Sequence, residues 1–128
     1  MKISKNFSDK ELIVTNQKIK NEPEFEHWIN LTALVHNVMQ PTRERFNVPL
    51  TVTSGYRSVE LNDKINGAKN SQHTKGEAID FICDKIPLIK IYNWIKDNLY
   101  YDQLILEPSW IHVSFKRDGN NRNQAWEM

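Results

Sequence analysis

Ser71-Gln72-His73-Thr74-Lys75-Gly76-Glu77-Ala78-Ile79-Asp80-Phe81-Ile82-Cys83 passes from a polar turn into an alternating stretch, and the phase of that alternation decides how the chain is built. Gly76 permits a backbone turn that a residue with a Cβ would resist. From Glu77 the chain straightens, and a half-buried strand sends Ile79 and Phe81 to one face and Ala78 and Asp80 to the other. Asp80 therefore points where the small Ala78 leaves room. About thirty residues on, Trp110-Ile111-His112-Val113-Ser114-Phe115 repeats the arrangement. Ile111, Val113 and Phe115 make a core face there, and Trp110, His112 and Ser114 share the opposite one. If the two strands are neighbours, His112 meets Asp80.

His73, Asp80 and His112 supply two imidazoles and one carboxylate. That is a donor set for a single zinc ion, with the fourth tetrahedral position open to water, the arrangement of catalytic rather than structural zinc. The same donors also suit other divalent ions. Taken singly, a strand Asp can be a buried group satisfied by hydrogen bonds, and a lone strand His is more often structural. Taken together they favour a metal, because both strands carry ligand chemistry opposite their aliphatic residues and a third ligand precedes one of them at a glycine turn.

These residues also carry a resemblance. Ser54-Gly55-Tyr56-Arg57-Ser58, then Ser71-x-His73-x-x-Gly76-x-Ala78-x-Asp80, then Trp110-x-His112 resemble the zinc peptidases of the M15 family, which includes D-Ala-D-Ala carboxypeptidases and phage L-alanyl-D-glutamate endolysins. The likeness runs from roughly Leu31 to Arg117. It implies His73, Asp80 and His112 as ligands to one Zn2+ and a peptidoglycan peptide as substrate. Many relatives have His-x-His where this chain has Trp110-x-His112, and the acid they place before the last His is closer to it in some subfamilies.

The acid available here is Glu107, which ends the apolar run Gln103 to Leu106 at a turn marked by Pro108 and Ser109. A hairpin would bring it back beside His112, and the resemblance implies a general base at this place. Such a base takes a proton from the attacking water and returns it to the departing amine. Glu77 falls on the strand face opposite Asp80, and Asp102 begins its strand away from the turn, so both rivals are poorly aimed. Arg57 follows the apolar run Leu50 to Thr53 at a glycine turn, and its guanidinium can hold a carboxylate bidentately. The resemblance implies that Arg57 and Ser71 bind substrate, and Tyr56 and Trp110 are expected to shape the cleft.

The remainder of the sequence bounds these readings. Its 128 residues, 39% hydrophobic and 26% charged, suit a single domain covering the whole chain, with room for one core. Seventeen basic and sixteen acidic residues leave a net charge of +1, little drive toward nucleic acid or anionic membrane. A monomer is expected. Cys83, the single cysteine, excludes an internal disulfide and reads as a buried thiol. Met1 to Phe7 lacks the apolar stretch of a signal peptide, and no run reaches membrane-span length. Synthesis in the cytoplasm is therefore expected, with action on the wall after phage lysis or from a virion.

Ser8-Asp9-Lys10-Glu11 reads as a capping box opening a short helix. Phe25 to Phe46 carries Phe25, Trp28, Leu31, Val35, Val38, Met39 and Phe46 at helical spacing, with Pro41 an expected kink. His27 and His36, nine residues apart, lie about 180° apart around that helix and cannot share an ion. Further helices are expected at Val59 to Ile65 and Pro87 to Leu99, and strands at Leu50 to Thr53, Glu77 to Ile82, Gln103 to Leu106 and Trp110 to Phe115. Helices first and mixed strands later predict an α+β domain, a largely antiparallel sheet with flanking helices and the zinc site on the sheet. The polar tail from Lys116 is expected to be loose. Two function classes fit: a murein peptidase, cutting as a D,D-carboxypeptidase or an L-Ala-D-Glu endopeptidase, or a non-catalytic zinc-containing module of the kind found in the hedgehog signalling domain. Glu107 with Arg57 favours the enzyme, since a module without turnover needs no acid beside an open zinc position.

Overall fold

The computed structural model describes residues 1–128 as one α+β unit in which helices pack on a five-stranded sheet. A 3-10 turn at Lys10–Ile13 comes first. The predicted capping box forms only in half: Glu11 Oε1 accepts from the Ser8 N–H and also from Ser8 Oγ, while Asp9 takes the N-cap place, its Oδ1 accepting from the Lys10 N–H. The long helical run follows as α1 (Phe25–Leu34), a π turn over Val35–Met39, and α2 (Gln40–Phe46). Pro41 has no N–H to give, and the π turn just before it, with Gln40 N–H bonding to Val35 O, is where the helix adjusts. Leu31, Leu34, Val35, Val38 and Met39 are fully buried along its inner stripe. After β1 (Thr51–Ser54) come α3 (Val59–Lys64), capped by Ser58 Oγ, and β2 (Ala78–Ile82). Then follow α4 (Leu88–Asn98), β3 (Gln103–Leu106), β4 (Ile111–Ser114) and β5 (Gln124–Glu127).

The strand order is β1-β2-β4-β3-β5. The first three pairings are antiparallel, and β3 with β5 is parallel. Ile79, Phe81, Leu104, Ile111 and Val113 point into the core beneath the helices, as the alternation predicts. Twenty buried apolar residues form that single core. Phe46 of α2 meets Trp94 of α4 edge to face at 5.9 Å, tying the two helices together. Cys83 differs from expectation in degree: it is half-buried, packed against the core margin.

The expectation of a loose tail from Lys116 is corrected. The segment is pinned at Lys116, whose N–H bonds to Asn121 Oδ1, and at Arg122, whose guanidinium grips the buried Asp102. It then runs as β5 along β3. Polarity misled the sequence reading because most of these residues sit on an edge strand or in a loop, where solvent-facing positions are the rule.

Candidate metal centre

β2 and β4 are adjacent, and the register sets Asp80 directly opposite His112. His112 Nδ1 lies 2.8 Å from Asp80 Oδ1. His73 reaches the same oxygen from the 3-10 turn Gln72–Lys75, its Nε2 at 3.4 Å. The two imidazoles meet edge to face with centroids 5.3 Å apart. One nitrogen from each ring and one carboxylate oxygen thus lie within 4.8 Å of one another.

His73 is placed by two glycines. Its Nδ1 is 2.7 Å from Gly55 O, and since a carbonyl can only accept, Nδ1 carries a proton, which in the neutral ring leaves Nε2 with a bare lone pair. A Cβ on Gly55 would stand 2.3 Å from Leu12 O, so only glycine lets β1 turn close enough to present that carbonyl. Gly76 closes the 3-10 turn with φ +75°, and a Cβ there would meet His27 O at 2.6 Å. Ser71 opens the same turn by accepting from the His73 N–H at 3.2 Å.

The lone pair decides what this cluster is for. His73 is 3% exposed, and its Nε2 is the single buried side-chain nitrogen or oxygen without a hydrogen-bond partner. It faces a carboxylate oxygen, acceptor against acceptor, an arrangement that costs free energy unless a cation stands between them. Nitrogen and oxygen donors of this kind fit a divalent metal, which would also take the place of the proton between His112 and Asp80. Burial alone would raise the Asp80 carboxyl, but positive charge and N–H groups on the two imidazoles, whenever these rings are protonated, outweigh it and hold the group well below the usual carboxylate range, and a cation in the place of those protons would act in the same direction. The ligand oxygen is therefore anionic.

Arg57 stands behind Asp80. Its Nη2 is 3.5 Å from Asp80 Oδ2, its Nε donates to Ser54 Oγ at 2.9 Å, and its Nη1 donates to Asn62 Oδ1 at 3.3 Å. A register shift between Val52 and Ser54 in β1 brings Ser54 level with Asp80. Burial pulls the guanidinium pKa down and the Asp80 charge opposes that. Arg57 thus orients the carboxylate while lining a hollow of about 280 Å3 with Ala68, Ser71, His73, Asp80, Ile105, Glu107, Trp110 and His112.

Glu107 enters this hollow from the β3–β4 turn, closed by its own N–H bonding to Trp110 O at 2.9 Å. The hairpin reading places it where expected, and Trp110 sits half-buried on the same wall. The rivals are elsewhere. Glu77 accepts from Gln72 Nε2, and Asp102 is fully buried under Arg122. Tyr56, expected to shape the cleft, is instead 6% exposed in the core and stacked on His27 at 4.8 Å. His27 and His36 are structural: the first caps α1 by accepting from the Glu24 N–H, and the second bonds to Ile3 O. Asn62, Ala68 and Ile105 were not singled out from the sequence. Asn62 alone left a trace there, as an amide in the short α3 that the fold buries.

Comparison with known proteins agrees with this geometry. The sequence pattern of the family described as Peptidase M15 matches residues 5–114. The chain belongs to the peptidase M15 family. The family is one of metal-dependent peptidases, and the match spans every residue of the metal centre and the hollow around it. Over 82 residues the M15 chain is 38% identical to a Haemophilus influenzae protein named probable peptidoglycan L,D-endopeptidase MepK. That alignment takes in 60% of this chain and 40% of the relative, so the chain matches less than half the length of that protein. β5 lies outside the family match.

Proposed function

We propose that this chain is a zinc-dependent murein peptidase that hydrolyses a peptide bond in the stem peptide of peptidoglycan. The observation that carries the metal is the bare Nε2 of His73, buried and aimed at Asp80 Oδ1. His73, Asp80 and His112 would hold the ion. Bound there, zinc would supply Lewis acidity, bringing the pKa of a coordinated water toward about 7 and polarising a peptide carbonyl.

The chain's own residues do the rest. Glu107 takes the proton of the attacking water and returns it to the amine nitrogen as the peptide bond breaks. Asp80 is an anionic ligand in this arrangement, and Arg57 fixes its second oxygen. Arg57 keeps N–H groups beyond those given to Ser54, Asn62 and Asp80, and with Ser71 it can hold a substrate carbonyl or carboxylate in the hollow. Trp110 and Ile105 form the apolar wall.

Endopeptidase cleavage is favoured over carboxypeptidase trimming. A second hollow of about 280 Å3, lined by Lys69, Asn70, Gln72, Gln103 and Arg122, shares Ala68, Ser71 and His112 with the first. A groove that continues past a metal ligand leaves room for residues on both sides of the cut bond. The name of the Haemophilus relative, a probable peptidoglycan L,D-endopeptidase, points the same way. A phage or prophage source belongs to this reading on the likeness to endolysins. The test is mass spectrometry of peptidoglycan fragments incubated with zinc-loaded protein, with a chelated sample, and with Glu107→Gln. New termini that vanish in both controls identify the bond cut. Intact fragments despite stoichiometric zinc would instead indicate a zinc-containing binding module.

A further inference from the structure

β5 lies beyond the family match, yet it extends the site face of the sheet by one strand. Asp80 stands opposite His112, His112 opposite Ile105, and Ile105 opposite Trp126, so these four form one row across β2, β4, β3 and β5. Paired residues share a face. The neighbouring pair, Leu104 with Ala125, turns to the core, which leaves Trp126 on the side of the metal centre. With strands about 4.8 Å apart, its backbone stands about 10 Å from that of His112 along the row. Ile105 already lines the catalytic hollow, so the surface is continuous from the hollow to the indole.

Trp126 is 37% exposed, and its indole N–H is directed to Met128 Sδ. Beside it the next same-face pair is Gln103 with Gln124, where Gln103 Nε2 donates to Gln124 Oε1 at 3.0 Å. That bond leaves the Gln103 carbonyl oxygen and the Gln124 amide N–H groups without a protein partner. A flat apolar ring next to unspent amide donors and acceptors matches the chemistry of a sugar. The C–H face of a pyranose lies on the indole while hydroxyl and acetamido groups bond to the amides.

We propose that Trp126, Gln103 and Gln124 form a subsite for an amino-sugar ring carried beside the peptide being cut. The inference rests on the murein peptidase reading, whose substrate joins a peptide to a glycan. The test compares KM for a disaccharide-linked stem peptide with KM for the same peptide without sugar, in zinc-loaded wild type, Trp126→Ala and Trp126→Phe. Trp126→Ala is expected to raise the ratio of the two KM values about fivefold, with kcat little moved and the ratio largely restored in Trp126→Phe. An unchanged ratio in Trp126→Ala would overturn the subsite. Calorimetric titration with the disaccharide alone separates this inference from the peptidase reading. Binding by wild type that is lost in Trp126→Ala upholds the subsite even where neither peptide is cut. Absence of binding by wild type overturns the subsite, and cleavage of both peptides in that case leaves the peptidase standing.

Discussion

Two aspartates on this sheet, Asp80 and Asp102, are both buried or nearly so and both held ionised below the ordinary carboxyl range, but by different partners. Asp102, fully buried at the start of β3, is satisfied from within the chain: Arg122 donates to it from its backbone N–H, its Nε and its Nη2. Asp80 has Arg57 no closer than 3.5 Å and shares one oxygen between two imidazoles, one of which presents a lone pair. A closed ion pair needs nothing more and fastens β5 to the sheet. An open cluster of donors is completed by a cation, and only the open one can bind something else. The contrast separates structural from functional charge without any reference to exposure.

The largest expected effect tests the open cluster through its neighbour. Glu107→Gln should lower peptidoglycan cleavage by about 10²- to 10⁴-fold, the usual contribution of a general base, while zinc binding and thermal midpoint stay near wild type. Retained activity would transfer the proton to another group. Next comes the metal itself. Zinc at about a thousandfold excess over its Kd should stabilise the fold by about 4 kcal/mol, visible as a rise in Tm that a chelator reverses. His73→Ala should abolish that rise, whereas Asp102→Asn should keep it. A Tm indifferent to zinc would place Asp80 in the same structural class as Asp102.

The strands that build the open cluster were legible in the sequence because parity is local. Ile79 and Phe81 against Ala78 and Asp80, and Ile111 and Val113 against His112, assign faces from neighbours two residues away, and the observed register sets the predicted pair opposite each other. The Glu107 turn was legible for the same reason, as an apolar run ending at Pro108 and Ser109. β5 was not. Four residues, Gln124 to Glu127, carry too little alternation, and their pairing is parallel to a strand some twenty residues earlier, stabilised by the long-range grip of Arg122 on Asp102. Tyr56 was misplaced for a related cause. Its neighbours in sequence line the site, but its own ring goes inward to stack on His27 of α1, which no local pattern around Gly55 and Arg57 announces. Nor did the sequence disclose why Gly55 is glycine, since the atom that forbids a Cβ belongs to Leu12.

The smaller effects belong to the closed pair. Asp102→Asn leaves Arg122 without its counter-charge, but the Arg122 side chain is 46% exposed and can be hydrated where it stands. The cost should therefore be about 2 kcal/mol, below the 3–5 kcal/mol typical of breaking a fully buried pair, and should appear as a lower Tm at neutral pH. The pH dependence follows from the same geometry. Burial alone would raise the Asp102 carboxyl, and the hydrogen bonds and charge of Arg122 outweigh it, so its pKa in the folded protein lies below the unfolded value of about 3.9. The unfolded chain then takes up the proton first as pH falls. The stability due to this group is complete above about pH 5, starts to decline near the unfolded value, and is gone once pH has passed through the folded one. Denaturant titrations of the metal-free protein between pH 7 and pH 3 should show wild type losing stability over that interval, and Asp102→Asn losing less because it has no such proton to take up. Equal acid slopes in the two proteins would mean that the grip of Arg122 on Asp102 adds nothing to stability, and that β5 is held by its ladder with β3 alone.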